Sequence, residues 1–186
     1  ILINGQRDYT VDAVAQAHRL RVLNASNSRT YVLGWSDQSP MTVIGTDGGL
    51  LEAPIERPYL ILGPSERVEI WADLSSYKPT DELHLISYSL GGSSLYPLAR
   101  IQIVEGLGEQ LPLPKTLTRH ASLDVADTIN ANEPRQFLLG ATREGWAING
   151  RIFELETVAD DERVLFGTSE VWEFVNDGSA GGMTMP

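Results

Sequence analysis

Residues 19–23, Arg-Leu-Arg-Val-Leu, alternate polar and apolar side chains, and this period of two dominates the chain, broken by turn residues at intervals of about ten positions. Successive side chains of an extended strand point to opposite faces, so such a stretch is a half-buried strand. Further strands are expected at 30–34, 41–45, 59–62, 67–72, 83–87 and 98–104, then at 119–125, 135–139, 147–149, 164–167 and 170–175. The separators at 24–28, 47–49, 63–65, 78–80 and 91–94 carry Gly, Pro, Asn and Ser, which supply positive φ or preset a turn entry. At 47–49 a tight hairpin is expected, with Asp47-Gly48 in the positive-φ positions. Short strands at this spacing build a sandwich or barrel, so the fold class is all-β. Helix is confined to one expected short turn at 74–77, where Asp73 can act as N-cap.

Residues 105–117, EGLGEQLPLPKTL, hold two glycines and two prolines alternating with Leu, and Pro112 and Pro114 have no N–H for a sheet ladder. The expected division is a first domain over 1–105, a linker over 106–117 and a second unit over 118–186. The second unit has about five expected strands, too few for a two-sheet sandwich of seven, so it reads as incomplete. The tail from Asp177 onward is loop-like. The chain opens on Ile1-Leu2-Ile3 without an initiator Met or a basic n-region, so no signal peptide is read and the start resembles the interior of a longer protein.

A formal charge of −11 argues against nucleic acid, which demands a basic surface. No apolar run approaches the roughly 20 residues of a membrane-spanning helix. The absence of Cys removes disulfides, thiolate nucleophiles and thiolate metal sites, including a blue-copper site, which needs a Cys sulfur beside two His.

Candidate chemistry is sparse. His18, His84 and His120 are isolated, with no i, i+2 or i, i+4 pair to place two imidazoles on one face, so no metal site is expected from them. There is no G-x-S-x-G elbow, and Ser65, between Gly63-Pro64 and Glu66, sits in a turn context. The carboxylates of Asp160, Asp161 and Glu162 are adjacent and read as a solvated acidic turn rather than an acid–base pair in contrasting environments. Asp47-Gly48-Gly49 lacks the G-x-G-x-x-G pattern, a following helix and a nearby Lys. Met183 and Met185 are thioethers of the type that suits Cu(I), although loop residues are the plainer reading. Trp35, Trp71, Trp146 and Trp172 are expected as core or inter-sheet anchors. Catalytic, cofactor-binding and metal-ligating residues are therefore all expected to be none.

Five strings, in order, resemble the multicopper oxidase family. Residues 20–29, LRVLNASNSR, are similar to that family's LRLLNAS-x-x-R; residues 41–51, MTVIGTDGGLL, to its vIatDGGLL hairpin; and residues 62–73, LGPSERVEIWAD, to L-x-PGER-x-e-v-l-v-D. Residues 146–153, WAINGRIF, resemble W-x-INGr-x-F, and residues 170–176, EVWEFVN, resemble E-x-W-x-i-x-N. The resemblance implies cupredoxin-like Greek-key β-sandwiches: most of the second domain of a three-domain protein, its first strand missing, followed by the start of the third. In the family, E-x-W-x-i-x-N leads into HPxHxH, followed by HCH with its axial Met, while HxH pairs lie in the first domain. None of those strings occurs here, so no copper ligand carries over to any residue, and copper is expected in the parent but not on this segment. Met185 would match a Met found two residues before the first third-domain His of cuprous-oxidising members if His came next.

What the resemblance implies for the parent is one-electron oxidation of a phenolic or metal-ion substrate at a type 1 copper, with dioxygen reduced to water at a trinuclear cluster. This segment would then be a copper-free spacer, inactive alone, partnered by the parent's first and third domains. A copper-less family relative serving as a scaffold, as among periplasmic cell-division homologues, is the alternative. An unrelated extracellular adhesion sandwich would leave the five ordered strings as coincidence. Periplasmic or extracellular placement is implied by the family alone. Unpaired apolar strand edges in the second unit point to possible homo-oligomers.

Overall fold

The computed structural model describes residues 1–89, 94–121, 123–176 and 178. Among them the chain forms two compact units, Ile1–His120 and Ala121–Pro186.

The first unit holds nine strands: β1 (Tyr9–Val14), β2 (Ala17–Leu23), β3 (Tyr31–Trp35), β4 (Met41–Thr46), β5 (Gly49–Arg57), β6 (Leu60–Leu62), β7 (Arg67–Asp73), β8 (Glu82–Tyr88) and β9 (Leu95–Val104). They make a five-stranded sheet in the order β1-β9-β8-β3-β6 and a four-stranded sheet in the order β2-β7-β4-β5. All neighbours are antiparallel except β1 and β9. Inward residues of both sheets, among them Leu33, Trp35, Met41, Ile70, Leu83 and Ile103, join one buried cluster, which makes the unit a β-sandwich. β7 shows the cause most plainly: Val68, Ile70 and Ala72 are buried while Glu69 and Trp71 face outward. Ile70 is 0% exposed, and burial of such a side chain contributes roughly 1.5–3 kcal/mol.

Two bulges let the period of two fit this core. Leu98 and Ile101 are both buried although three residues apart, and the register between β8 and β9 slips between Leu85 and Ile86 to absorb the extra residue. In β4 the slip falls between Val43 and Gly45, where Val43 and the neighbouring Ile44 are both buried and Val43 alone joins the core cluster.

Two strands go beyond the alternation. β1 buries only Ala13 and carries Asp12 in its middle. β5 contains Pro54, a residue that a sheet admits at an edge, where β5 lies. The hairpin at 47–49 differs from expectation in its dihedrals: the positive φ, 109°, belongs to Gly49 and not to Asp47 or Gly48. Gly there allows a turn with ordinary central residues to rejoin the ladder, as a bulged three-residue loop does. At 74–77 there is a turn rather than a helix, closed by Tyr77 N–H on the Leu74 carbonyl and by Ser75 N–H on Asp73 Oδ1 at 3.0 Å.

Residues 105–120 run along this first unit. Glu109 N–H donates to Gln16 Oε1 (2.9 Å), Leu117 N–H to the Glu52 carbonyl (2.8 Å) and His120 N–H to Glu52 Oε1 (3.2 Å).

The second unit is built on a three-stranded sheet, β11-β10-β12, with β10 (Arg135–Ala141) in the centre. β11 (Trp146–Ile148) is antiparallel and β12 (Trp172–Asn176) parallel to it. Short 3-10 turns occupy Val125–Asp127 and Asp160–Glu162. Among the described residues of 119–125 and 164–167 no strand forms: Leu123 is 88% and Phe166 101% exposed, so their alternation meets no covering layer there. Phe137 and Ala147 are the buried hydrophobic residues of this unit among those described. The turn expected at 91–94 lies outside the described residues save Ser94. No helix among the described residues is long and apolar enough to cross a membrane.

Candidate functional site

Each histidine is spoken for locally. His18 Nε2 lies 3.0 Å from the Val14 carbonyl, His84 Nε2 3.4 Å from Glu82 Oε2, and His120 Nε2 2.9 Å from the Leu50 carbonyl. Among the described residues no three of His, Asp and Glu lie where they would hold a metal ion. These residues do not fit a copper centre, which needs several imidazoles or thiolates around one point. Met183 and Met185 lie outside the described residues.

The residues that recur in the five strings are instead concentrated in hydrogen-bonded clamps. Asn24 is 4% exposed and uses its whole amide. Its Nδ2 donates to the carbonyls of Arg29 (2.7 Å) and Leu62 (2.9 Å), and its Oδ1 accepts from Ser26 N–H (3.0 Å) and Ser26 Oγ (2.7 Å). Asn24 N–H also donates to the Glu66 carbonyl. One side chain thus ties the end of β2 to the end of β6 and the approach to β3. Asp47 pins the opposite strand, accepting Arg67 N–H at 3.1 Å and pairing with its guanidinium at 2.9 Å.

Ser65 sits in the turn of residues 63–66, closed by Glu66 N–H on the Gly63 carbonyl at 3.2 Å, with Pro64 before it and a φ of +68°. That is a type II turn whose third position favours Gly.

In the second unit Arg135 binds Glu170 through Nε and Nη2, and its Nη1 donates to the Asp161 carbonyl at 2.5 Å. Glu170 also accepts from Trp172 Nε1 at 3.0 Å, and these bonds, Arg135 first and Trp172 next, hold its carboxyl below the usual range. Asp161 accepts Arg151 Nη2 at 2.6 and 2.8 Å and Asn149 Nδ2 at 3.0 Å, and the same partners in that order lower its pKa. The Asp160–Glu162 turn is therefore not simply solvated: its middle carboxylate joins the 3-10 turn to the β11 turn. Asn149 reaches back through Oδ1 to Leu138 N–H at 2.8 Å, and Asn130 pairs with Val171 like a peptide group, through 2.7 and 2.9 Å bonds. The sequence carried no signal for Asn130 or Arg135, because their partners lie 41 and 35 residues away.

The tryptophans divide. Trp35 is 3% exposed in the sandwich core, whereas Trp146 and Trp172 are 48% and 47% exposed. Trp172, Phe137 and Phe174 cluster on one side of the second sheet, with centroids 5.0 and 5.3 Å from Phe137. Beside β11 an open hollow of about 920 Å³ is lined by Leu139, Trp146, Ile148, Ile152, Phe153 and Leu155 together with charged Arg151 and Glu162.

No family model matches the chain. It is 32% identical over 198 residues to bilirubin oxidase of Albifimbria verrucaria, matching 100% of this chain and 34% of that protein. It is 30% identical over 183 residues to cell division protein FtsP of Edwardsiella tarda, across 92% of this chain and 38% of that protein. Over 75 or 76 residues the identity to FtsP proteins rises to 45–46%. Its fold superposes on a laccase from Pediococcus acidilactici with a TM-score of 0.79 at 27% identity, covering 97% of this chain and 37% of that one. The sandwich and these likenesses define a cupredoxin-like protein. The chain belongs to the multicopper oxidase family, and it spans little more than a third of the length of these relatives.

Proposed function

We propose that this chain is the copper-free structural segment of a longer multicopper-oxidase-like protein, equivalent to most of a second cupredoxin-like domain over 1–105, a connector over 106–117 and the start of a third domain over 118–186. One observation carries the reading: the residues by which the chain resembles the family, Asn24, Asp47, Asn149, Arg151 and Glu170, are consumed in backbone and ion-pair clamps. Their chemistry is positional. It fixes strand ends and turns, and leaves electron transfer to residues outside this segment. The parent would oxidise a phenolic or metal-ion substrate one electron at a time and reduce dioxygen to water, with copper as its cofactor, in the periplasm or outside the cell. The exposed apolar side chains of the second unit, Phe153 at 83% and Phe166 at 101%, are of the kind that further parts of such a parent, or a second copy, would cover.

The stretch of higher identity to FtsP proteins favours a second reading, a copper-less scaffold. Intact mass and copper content of the full-length protein, after reconstitution with copper, decide between the two. Several coppers per chain with dioxygen uptake on a phenolic substrate establish the oxidase parent. A long chain that takes up no copper establishes the scaffold, and copper held by the 186-residue chain itself refutes the copper-free assignment.

A further inference from the structure

The dipeptide Asn-Gly occurs twice, each time after Ile: Ile3-Asn4-Gly5-Gln6 in the first unit and Ile148-Asn149-Gly150-Arg151 in the second. Both form the same two-residue turn. The flanking residues exchange a pair of backbone bonds, both 2.9 Å between Ile3 and Gln6, and 2.9 and 3.0 Å between Ile148 and Arg151. The central residues all have positive φ, 49° and 79° in the first turn and 51° and 73° in the second, as a type I′ turn requires. Neither glycine has an atom within 4 Å of where a Cβ would stand. What differs is the side-chain amide. Asn149 Oδ1 accepts Leu138 N–H at 2.8 Å, and its Nδ2 donates to Asp161 Oδ2 at 3.0 Å and to the Gln136 carbonyl at 3.4 Å. Asn4 is exposed, and among the described residues its side chain has no hydrogen-bond partner.

We propose that Asn4-Gly5 is a site of spontaneous deamidation in the folded chain, with water as the co-reactant, and that the same dipeptide at Asn149-Gly150 is protected by its side-chain clamp. Gly suits the reaction because it offers its backbone nitrogen without a side chain to obstruct approach. The Gly5 nitrogen, its proton taken by hydroxide, forms a bond to Asn4 Cγ, and the Cγ–Nδ2 bond breaks with release of ammonia. Water then opens the resulting succinimide. Cleavage between the nitrogen and Cγ leaves Asp, and cleavage between the nitrogen and the main-chain carbonyl carbon leaves isoaspartate. Isoaspartate routes the main chain through the side chain and adds a negative charge, so the two-residue turn cannot close as before. In either turn the side chain must first swing over the next nitrogen. The two backbones are restrained alike, so the side-chain bonds decide the difference. Those of Asn149, one of them to a carboxylate, slow its reaction at least about tenfold relative to Asn4.

The test holds the 186-residue chain in mildly alkaline buffer, native in one series and in concentrated guanidinium chloride in another. Samples taken over time are digested under acidic conditions, and the peptides carrying positions 4 and 149 are separated by chromatography and identified by mass spectrometry. In the native series Asp and isoaspartate should accumulate at position 4, faster at higher pH, with position 149 at least about tenfold slower. In denaturant the two positions should react at nearly equal rates, since the clamp is gone and the local sequences match. Equal rates in the native series overturn the proposal, as does an unreactive Asn4 in the folded chain. A difference that persists in denaturant also overturns it, because sequence and not the clamp would then set the rates.

Discussion

Arg135 holds Glu170 in two parallel hydrogen bonds of equal length, Nε to Oε2 and Nη2 to Oε1, each 2.8 Å. The fork geometry is one that a Lys ammonium cannot reproduce, and it joins the start of β10 to the residues before β12. The Glu170 side chain is only 4% exposed, so a lost partner strands a covered charge.

Acid should therefore loosen the second unit. Glu170 and Asp161 both have pKa values held below the ordinary range by their Arg partners. A carboxylate depressed in the folded state contributes stability that is present above its unfolded pKa, about 4 for these residues, and is lost as pH falls through the lower folded value. Amide exchange at Phe137 and Phe174 should stay flat from neutral pH down to about 5 once corrected for intrinsic rates, then accelerate below about 4. Glu170→Gln should raise exchange at neutral pH and shallow the acid dependence, while Arg135→Lys should fall between it and the unsubstituted chain. An acid dependence unaltered by Glu170→Gln would refute the assignment.

Asn24 should be the costliest single polar residue of the first unit. Asn24→Ala takes the side-chain donor from the Leu62 carbonyl and one of two from the Arg29 carbonyl, which keeps Ser26 Oγ at 2.8 Å. A loss of roughly 2–4 kcal/mol is expected from denaturant unfolding. Asn24→Asp should cost a similar amount despite its matched shape, because a carboxylate donates nothing. A fully tolerated Asn24→Asp would show that the carbonyls find water instead.

Ser65→Gly should stabilise the chain. Ser65 holds a φ of +68° in a turn position where the family pattern has Gly. Relief of left-handed strain outweighs the added freedom of the unfolded chain by about 1 kcal/mol. The denaturant midpoint should rise with its slope unchanged, and a fall would show that Ser65 makes a contact worth more than the strain.

Gly45→Ala should act in the opposite direction. A Cβ at Gly45 would lie 2.9 Å from the Gly49 carbonyl oxygen, a backbone atom that cannot swing aside, and 3.4 Å from the Glu69 Cβ. Forcing that contact at the β4 bulge should cost roughly 1–3 kcal/mol in denaturant unfolding. A neutral substitution would mean that the β4–β5 hairpin adjusts its bulge freely.

Strands with a facing layer were legible in the alternation, as β7 shows with Val68, Ile70 and Ala72 inward. Alternation reports how a segment would divide between two environments, and says nothing of whether the second layer exists. That is why 164–167 resembled a strand while Leu165 and Phe166 are 66% and 101% exposed. β5 was obscured by Pro54, whose harm to a ladder vanishes at an edge, and edge position is a property of topology. The clamps were visible only as recurring letters. Asn24 and Glu170 stood out in the strings, but their work depends on Leu62 and Arg135, which no local period links to them.

Alkaline stability should depend on Tyr77. Its hydroxyl donates to Asp37 Oδ2 at 2.5 Å, tying the turn after β7 to the one after β3. Burial first, then the Asp37 bond and charge, push the phenol up to about 12, and Asp37 in turn lies below its ordinary range, hydrogen bonds from Tyr77 and Ser39 outweighing its partial burial. A phenol whose pKa is raised on folding contributes stability that is whole below its unfolded value, about 10, and is lost as pH rises through the folded one. Tyr77→Phe should lower the denaturant midpoint by a constant amount from pH 6 to about 10, and the gap should close towards about 12. Asp37→Asn should weaken the same tie and shift the alkaline limb downward. A gap that stays constant through pH 12 would show that the ring's packing against the core, rather than the phenol–carboxylate bond, is what Tyr77 supplies.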